Sequence, residues 1–152
     1  MGALIGALVT VVTLVGGLLA IKQYYDQNPN DIQGSWTIET LTANTTDTNY
    51  QDMKLVYSVF FTQNGNSFTG VGEKTGEQVK GKPMVNLVGT QRTHIDITGT
   101  ISNSKIHANF TDHGKIRNSV GQFDWTLRSN AGEGTFSSTA ADSSGTSSLA
   151  RK

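Results

Sequence analysis

The sequence contains no cysteine and only two prolines, and charged residues make up just 16% of its 152 positions. Without cysteine the chain can form neither a disulfide bond nor a thiolate metal site. Its twelve basic and twelve acidic side chains cancel, so overall charge indicates no partner. The sequence also lacks the usual nucleophile, phosphate-loop, dinucleotide and zinc-protease motifs, and its carboxylates show no paired spacing. We therefore expect a protein that is not an enzyme and needs no cofactor.

What the sequence does have is a long apolar run at residues 1–21, which holds no charged side chain and no proline. About 20 apolar residues rising roughly 1.5 Å each span the roughly 30 Å hydrocarbon core of a bilayer. A buried helix of a soluble domain rarely runs this far without a polar face. A signal peptide would have a positive n-region and a shorter apolar stretch. The run therefore predicts a transmembrane helix.

Small residues in this run recur at alternating spacings of three and four, the heptad period of a left-handed helix bundle. They are Ala3, Gly6, Thr10, Thr13, Gly17 and Ala20. Small residues allow membrane helices to approach closely. We therefore predict that the helix self-associates, with a tetramer as the working copy number. The bundle is either dry or a pore lined by threonine hydroxyls.

Residues 22–31 predict a linker, in which Tyr24 and Tyr25 suit the headgroup region and Pro29 ends the helix. Lys22 is the only basic side chain near the helix, and the short uncharged N-terminus crosses a membrane easily. We therefore expect a single-pass membrane protein with its C-terminal domain in the cytoplasm.

Residues 32–152 change to a period of two, which is typical of half-buried strands. The predicted strands are 34–41, 53–62, 68–72, 84–88, 92–102, 105–111, 119–128, 134–140 and 146–151, with 74–83 and 112–118 as loops. Short turns between them favour an antiparallel meander, and closure into a barrel covers the apolar faces and removes sheet edges. We predict one N-terminal transmembrane α-helix followed by an all-β, antiparallel, up-and-down small β-barrel of about eight strands. Its layout is lipocalin-like, and the inward Gly70, Gly72 and Gly99 fit sharply coiled strands.

Charge is unevenly distributed along the chain. Residues 22–73 carry two basic and six acidic side chains, whereas residues 74–128 carry eight basic and four acidic ones. Basic side chains at a barrel mouth attract phosphates, so the candidate ligand-binding residues are Lys80, Lys82, Arg92, His94, His107, Lys115, Arg117 and Arg128. Tyr50, Tyr57, Trp36 and Trp125 are candidates for stacking on bases, although both tryptophans fall on the core side of their strands.

The histidines also raise the question of a metal site. His94 and His107 are predicted to lie outward on neighbouring strands, with Asp96 close by. Such residues are more often the ordinary polar face of a sheet, so we expect no metal.

A membrane segment before a compact barrel that opens with Gly34-Ser35-Trp36 resembles the membrane effectors of bacterial anti-phage defence. These are the transmembrane β-barrel effectors of CBASS and the HalB effectors of the Hailong system. The resemblance implies a homo-oligomer whose barrels bind a nucleotide or a short single-stranded oligonucleotide, supplied by a nucleotidyltransferase encoded alongside. Its helices would form a pore or disrupt the inner membrane.

In CBASS a cyclic nucleotide activates the effector, whereas in Hailong an oligodeoxyadenylate holds it closed; a single membrane segment favours the Hailong-like version. No ligand residue is carried over, because the resemblance lies in layout rather than in a motif. The Gly-x-Trp opening is also similar to the first strand of lipocalins. The alternative function is therefore a membrane-anchored, lipocalin-like binding protein for a small apolar ligand.

Overall fold

A computed structural model describes residues 30–152, which form nine strands. The strands are β1 (Gly34–Asn44), β2 (Lys54–Asn64), β3 (Ser67–Gln78), β4 (Val85–Asn86), β5 (His94–Ser102), β6 (Lys105–His113), β7 (Asn118–Arg128), β8 (Ala131–Ser138) and β9 (Ser143–Arg151). Three short 3-10 turns lie at Thr48–Tyr50, Gly89–Gln91 and Ala140–Asp142.

Eight of these strands form a closed antiparallel barrel. Each pairs with the next barrel strand along the chain, and β9 closes the barrel by pairing with β1. The two-residue strand β4 lies outside this cycle and pairs only with the end of β3. The predicted all-β, up-and-down barrel of about eight strands is therefore confirmed.

The core follows the predicted alternation. Ile95, Ile97 and Ile101 of β5 are buried, as are Phe123 and Trp125 of β7. Aromatic rings fill much of the interior, and the Phe123 ring stacks on Trp125 with 4.5 Å between centroids. Burying such side chains supplies the main favourable free energy of folding.

Inward glycines make room for these rings. Gly70 lies beneath the ring of Phe61, and Gly99 lies beneath the ring of Phe68. The two phenylalanines meet edge to face at 5.2 Å. The predicted inward position of these glycines is confirmed, and its reason is the aromatic packing above them.

One end of the barrel, called the closed end here, carries the β2–β3, β5–β6 and β7–β8 turns. Residues 30–33 lie across it before β1 begins. The Gln63 amide accepts from the Ile32 backbone N–H (2.8 Å) and donates to the Asn30 carbonyl (2.6 Å). The Asn30 side chain in turn accepts from the backbone N–H of Ser104 (3.0 Å). These bonds place the fully buried Ile32 under the core.

Trp36 and Arg151 complete this end. The indole N–H of Trp36 donates to the Ile32 carbonyl (2.7 Å), and the Arg151 guanidinium lies 4.5 Å from the centre of the indole. Arg151 also donates to the carbonyls of Gln33 (2.6 Å) and Asp31 (2.9 Å). Residues 30–33, held by Gln63, Trp36 and Arg151, are called the clasp below.

Several predicted strand ends are wrong. β3 continues to Gln78, so residues 74–78 are strand rather than loop, and β6 continues to His113, so Asp112 is strand as well. β1 continues to Asn44, and β8 and β9 each begin three residues earlier than predicted. In most of these segments the inward residues are polar or small, so the apolar alternation stops before the hydrogen-bonded ladder does.

Among residues 30–152 there is no helix of the length and apolarity needed to cross a membrane. The predicted transmembrane helix, its stripe of small residues and the linker as far as residue 29 lie outside the described residues.

Candidate functional site

A cavity of about 790 Å³ opens at the end of the barrel opposite the clasp, called the open end here. This volume falls within the roughly 300–1,000 Å³ of small-molecule sites. Its walls are the inward residues of the upper barrel, and its rim is formed by the loops around residues 45–53, 79–93, 114–117 and 139–142. Its lining includes Thr40, Tyr50, Tyr57, Lys74, Glu77, Thr93, Phe110, Asp112, Lys115, Ile116, Arg117, Phe123 and Phe136.

Three polar residues lie inside the barrel at this cavity and are called the floor cluster. Tyr57 of β2 donates its hydroxyl to Asp112 of β6 (2.9 Å), although β3 and β5 separate the two strands. Thr93 donates to the other oxygen of the same carboxylate (3.3 Å). All three side chains are buried. The Tyr57 ring thus crosses the interior between the packed core and the cavity.

Burial raises the pKa of Tyr57 well above its ordinary value of 10.0, and the negative charge of Asp112 raises it further. Both effects disfavour the phenolate. Tyr57 therefore stays protonated and remains a donor to Asp112.

Phenylalanine rings form the apolar wall beside this cluster. The rings of Phe110 and Phe123 lie 4.5 Å apart at a tilt of 30°, and Phe136 lines the same space. The Thr40 hydroxyl is buried at this wall and has no hydrogen-bond partner among the described residues. Buried hydroxyls are normally paired, but the Thr40 oxygen has almost no surface open to the cavity, so it is a local cost in packing rather than a contact for a ligand.

Lys74 and Glu77 form an ion pair at the same cavity, with 3.5 Å between Nζ and Oε2. A register shift between β2 and β3 at this level places Lys74 opposite Tyr57 and Glu77 opposite Leu55. Both charges therefore line the barrel rather than face outward from a loop.

Lys115 and Arg117 lie on the rim, either side of Ile116, a residue that is 99% exposed. Neither cation has a carboxylate within 4.0 Å in the described part of the chain. These two predicted ligand residues therefore bring positive charge to the mouth of an aromatic cavity.

The other predicted cations of the open end are mostly neutralised. Lys80 pairs with Asp52 (2.6 Å), and Arg92 pairs with Glu73 (3.1 Å) while its Nε donates to the Leu87 carbonyl. Lys82 lies in the exposed turn after β3. These three lie outside the lining of the cavity.

His94 and His113 share one carboxylate on the outer face of the barrel. Their Nε2 atoms lie 2.9 Å and 2.8 Å from the two oxygens of Asp96. The hydrogen bond from His113, and then that from His94, lowers the pKa of Asp96 below its ordinary value of 3.8. His94 and His107 lie outward on the neighbouring strands β5 and β6, but six residues apart along the ladder, and His107 pairs with Asp124 (2.6 Å).

His107 and Arg128 lie toward the closed end, because β6 begins and β7 ends there. The predicted set is therefore split between the two ends of the barrel. Trp36 and Trp125 are buried, the second donating to Ser147 (3.0 Å), so neither indole is open to a base. Tyr50 does line the cavity.

Sequence reasoning missed Asp112, because it ended the strand at Thr111. Asp112 continues the alternation Ile106, Ala108, Phe110, and extending that alternation by one step, whatever the residue type, would have placed it inside the barrel. Thr40 does lie on the face of Trp36 and Ile38, as the alternation along β1 predicts.

The chain matches no protein-family model and no curated protein sequence.

Proposed function

We propose that this chain is a single-pass, homo-oligomeric effector of anti-phage defence in the bacterial inner membrane. Its barrel binds a nucleotide or a short single-stranded oligonucleotide, and its N-terminal helices form a pore or disrupt the membrane. The observation that carries the ligand class is the aromatic cavity with Lys115 and Arg117 on its rim. A nucleotide offers a flat base to the half-buried ring of Tyr50, which lines the cavity, and anionic phosphates to such cations.

The direction of the cavity supports a ligand from the aqueous phase. The described chain begins at the clasp, so whatever precedes residue 30 is joined to the closed end. A membrane helix attached there leaves the mouth at the far end of the barrel. A soluble nucleotide reaches such a mouth more directly than a bilayer lipid does.

The membrane part of the proposal rests on the small-residue stripe of the N-terminal run. Replacing Gly6 and Gly17 by leucine fills the face on which helices would meet. We expect this double variant to lose toxicity in cells and leakage from liposomes, with the barrel still folded. Unchanged leakage would exclude a bundle built on that stripe.

A second candidate, a tethered carrier of a small apolar ligand, is favoured by the carbon-rich wall of the cavity. Phe110, Phe123, Phe136 and Leu87 all line it. Under this proposal the helix is only an anchor. Another apolar anchor would replace it without loss of function, and fatty acids or other apolar probes would compete for the cavity.

The test of the ligand class uses the full chain and a matched pair of charge reversals. Lys115→Glu with Arg117→Glu reverses the rim, whereas Lys105→Glu with Arg128→Glu reverses the same number of charges at the closed end. We expect the rim variant alone to lose binding of labelled oligonucleotides and the response of liposome leakage to them. Equal binding by both variants, or displacement by apolar probes only, would contradict nucleotide binding.

A further inference from the structure

The rim of the open end is divided by charge. Two of its four loops hold acidic residues and no lysine or arginine: Asp47 and Asp52 in 45–53, and Asp142 in 139–142. The other two hold basic residues and no aspartate or glutamate: Lys80, Lys82 and Arg92 in 79–93, and Lys115 and Arg117 in 114–117. The two halves adjoin where Asp52 pairs with Lys80 (2.6 Å). Away from that pair, opposite charges lie on different parts of the rim, where a second copy of the chain can pair them.

The two acidic loops form one continuous surface. The Ala141 carbonyl accepts hydrogen bonds from the backbone N–H (2.8 Å) and the hydroxyl (2.9 Å) of Thr46. These bonds hold the turn that carries Asp142 against the loop that carries Asp47. Neither carboxylate has an ion pair in the described part of the chain, and Ala140 adds partly exposed apolar surface beside them. Asp47, Ala140 and Asp142 are called the acidic face.

The basic face consists of Lys115, Ile116 and Arg117. Its two cations have no carboxylate partner within residues 30–152, and Ile116 between them is 99% exposed. A single exposed apolar side chain is common on protein surfaces. This one, however, stands between two unpaired cations, and the acidic face offers two unpaired carboxylates beside apolar carbon. The two faces are therefore complementary in charge and in apolar surface.

The two faces lie on different sides of one mouth and do not pair within a single barrel. Loop 114–117 and turn 139–142 are separated by two of the eight barrel strands, β7 and β8, and so by about a quarter-turn around the mouth. A contact whose two halves differ is heterologous, and its repetition around an axis closes a ring. Copies anchored through their closed ends in one membrane stand parallel, so their mouths lie side by side rather than face to face.

We propose that the basic face of each barrel binds the acidic face of the next copy, which joins the mouths side by side in a ring. The inference rests on the proposed function and names the surfaces by which its copies meet. Lys115 and Arg117 pair with the carboxylates of the acidic face, and Ile116 packs against Ala140. Phosphates of a bound ligand require the same two cations. Ligand and neighbouring copy therefore compete for the basic face.

Cysteine cross-linking of the full chain in liposomes tests this contact, because the sequence has no cysteine of its own. Thr48→Cys marks the acidic side and Asn118→Cys marks the basic side, and both residues are exposed. We expect a short bis-maleimide to join chains that carry both cysteines into a ladder of multimers. Either cysteine alone should give little product, because a heterologous contact brings unlike positions together.

A charge swap in the double-cysteine chain tests the pairing. Asp47→Lys with Asp142→Lys turns two attractions into repulsions, so cross-linking should fall about tenfold, at about threefold for each exposed pair. Adding Lys115→Glu with Arg117→Glu makes the facing charges opposite again and should restore cross-linking.

Matched controls separate the contact from general effects of charge and polarity. Asp124→Lys with Glu133→Lys reverses two exposed carboxylates outside the rim and should change cross-linking by less than about twofold. Ile116→Ser should lower cross-linking about tenfold without changing the unfolding temperature, because the residue is fully exposed in one copy and buried only in the contact. Val88→Ser, at a rim residue that is 63% exposed, should leave cross-linking unchanged.

The results that would overturn the inference are distinguishable from failure of the proposed function. Cross-linking through Asn118→Cys alone would show that like faces meet. Failure of the swap to restore cross-linking in a folded chain, or equal losses in Ile116→Ser and Val88→Ser, would contradict the pairing. Cross-linking that saturating oligonucleotide leaves unchanged would exclude competition for the basic face. Absence of cross-linking in a chain whose liposome leakage still responds to oligonucleotides would exclude the contact and leave the proposed function intact. A chain that neither binds oligonucleotides nor causes leakage would overturn both.

Discussion

Arg151→Met tests the clasp, because methionine still covers the Trp36 ring but donates no hydrogen bond. Arg151 donates to the Gln33 and Asp31 carbonyls and lies over the Trp36 indole. Hydrogen bonds from a charged donor contribute about 1.5–3 kcal/mol each, and an exposed cation–π contact adds about 0.5–1 kcal/mol. The half-buried ion pair with Asp31, at 3.5 Å, adds about 1 kcal/mol at most.

Two effects reduce this sum. The Nε atom of Arg151 is buried and has no acceptor among the described residues, so its removal recovers part of the loss. Water can also reach the carbonyls once the guanidinium is gone. We expect a loss of about 2–4 kcal/mol, which for a domain of about 120 residues lowers the unfolding temperature by roughly 6–16 °C.

Thermal unfolding of the full chain, followed by tryptophan fluorescence, measures this loss. Arg128→Met is the matched control, because Arg128 also lies at the closed end, is exposed and has no ion pair within residues 30–152. This variant should unfold within about 2 °C of the parent. If both variants unfold together, Arg151 does not hold the clasp. Hydrogen exchange adds a local measurement, because the Ile32 amide should lose protection in Arg151→Met.

Two further predictions concern packing and pH. Gly70→Ala places a methyl group 2.5 Å from the Phe61 ring, so we expect the free energy of unfolding, measured in urea, to fall by about 1–3 kcal/mol. Gly132→Ala is the control: its nearest contact is 3.4 Å, and the free energy of unfolding should change little. Equal losses in the two variants would contradict the packing argument. The pKa of the Asp96 carboxyl, measured by NMR titration, should lie below its ordinary value of 3.8 and should move toward that value in His113→Gln. Because the pKa is lowered in the folded state, the stability that this carboxylate contributes is present above the ordinary pKa and is lost as the pH falls through the lowered one. An unchanged midpoint would contradict the assigned hydrogen bond.

The lower barrel could be predicted from sequence because its inward residues are apolar. The Ile95, Ile97 and Phe110 positions follow the period of two, and the turn around Gly65, at φ +59°, separates β2 from β3 as the Asn-Gly pair predicts. At these positions the local backbone preference and the burial of the side chain agree, so tertiary contacts do not override the sequence pattern.

The upper barrel could not be predicted in the same way. Lys74, Glu77 and Asp112 are typical of loops, and the sequence alone predicts that such charges face water. In the barrel they pair with inward partners instead, so the strands run on past the apolar pattern. The failure of the pattern therefore coincides with the candidate site. Ligand sites are places where local rules are broken in favour of binding.

The cavity and the clasp lie at opposite ends of the barrel, and this separation bears on how the proposed effector would be controlled. Between the cavity and the clasp lies packed core, including Trp36, Phe61 and Phe68. Such interiors are close-packed and resist gradual deformation. We therefore expect that a ligand at the mouth causes no conformational change that passes through one barrel to residues 30–33. On the proposed function, the ligand therefore acts by changing how neighbouring barrels meet at their mouths, where the fully exposed Ile116 stands between two cations. Control by assembly predicts that ligand alters cross-linking between copies while the exchange rate of the Ile32 amide stays the same. A change at Ile32 with no change in cross-linking would place the signal inside the barrel instead.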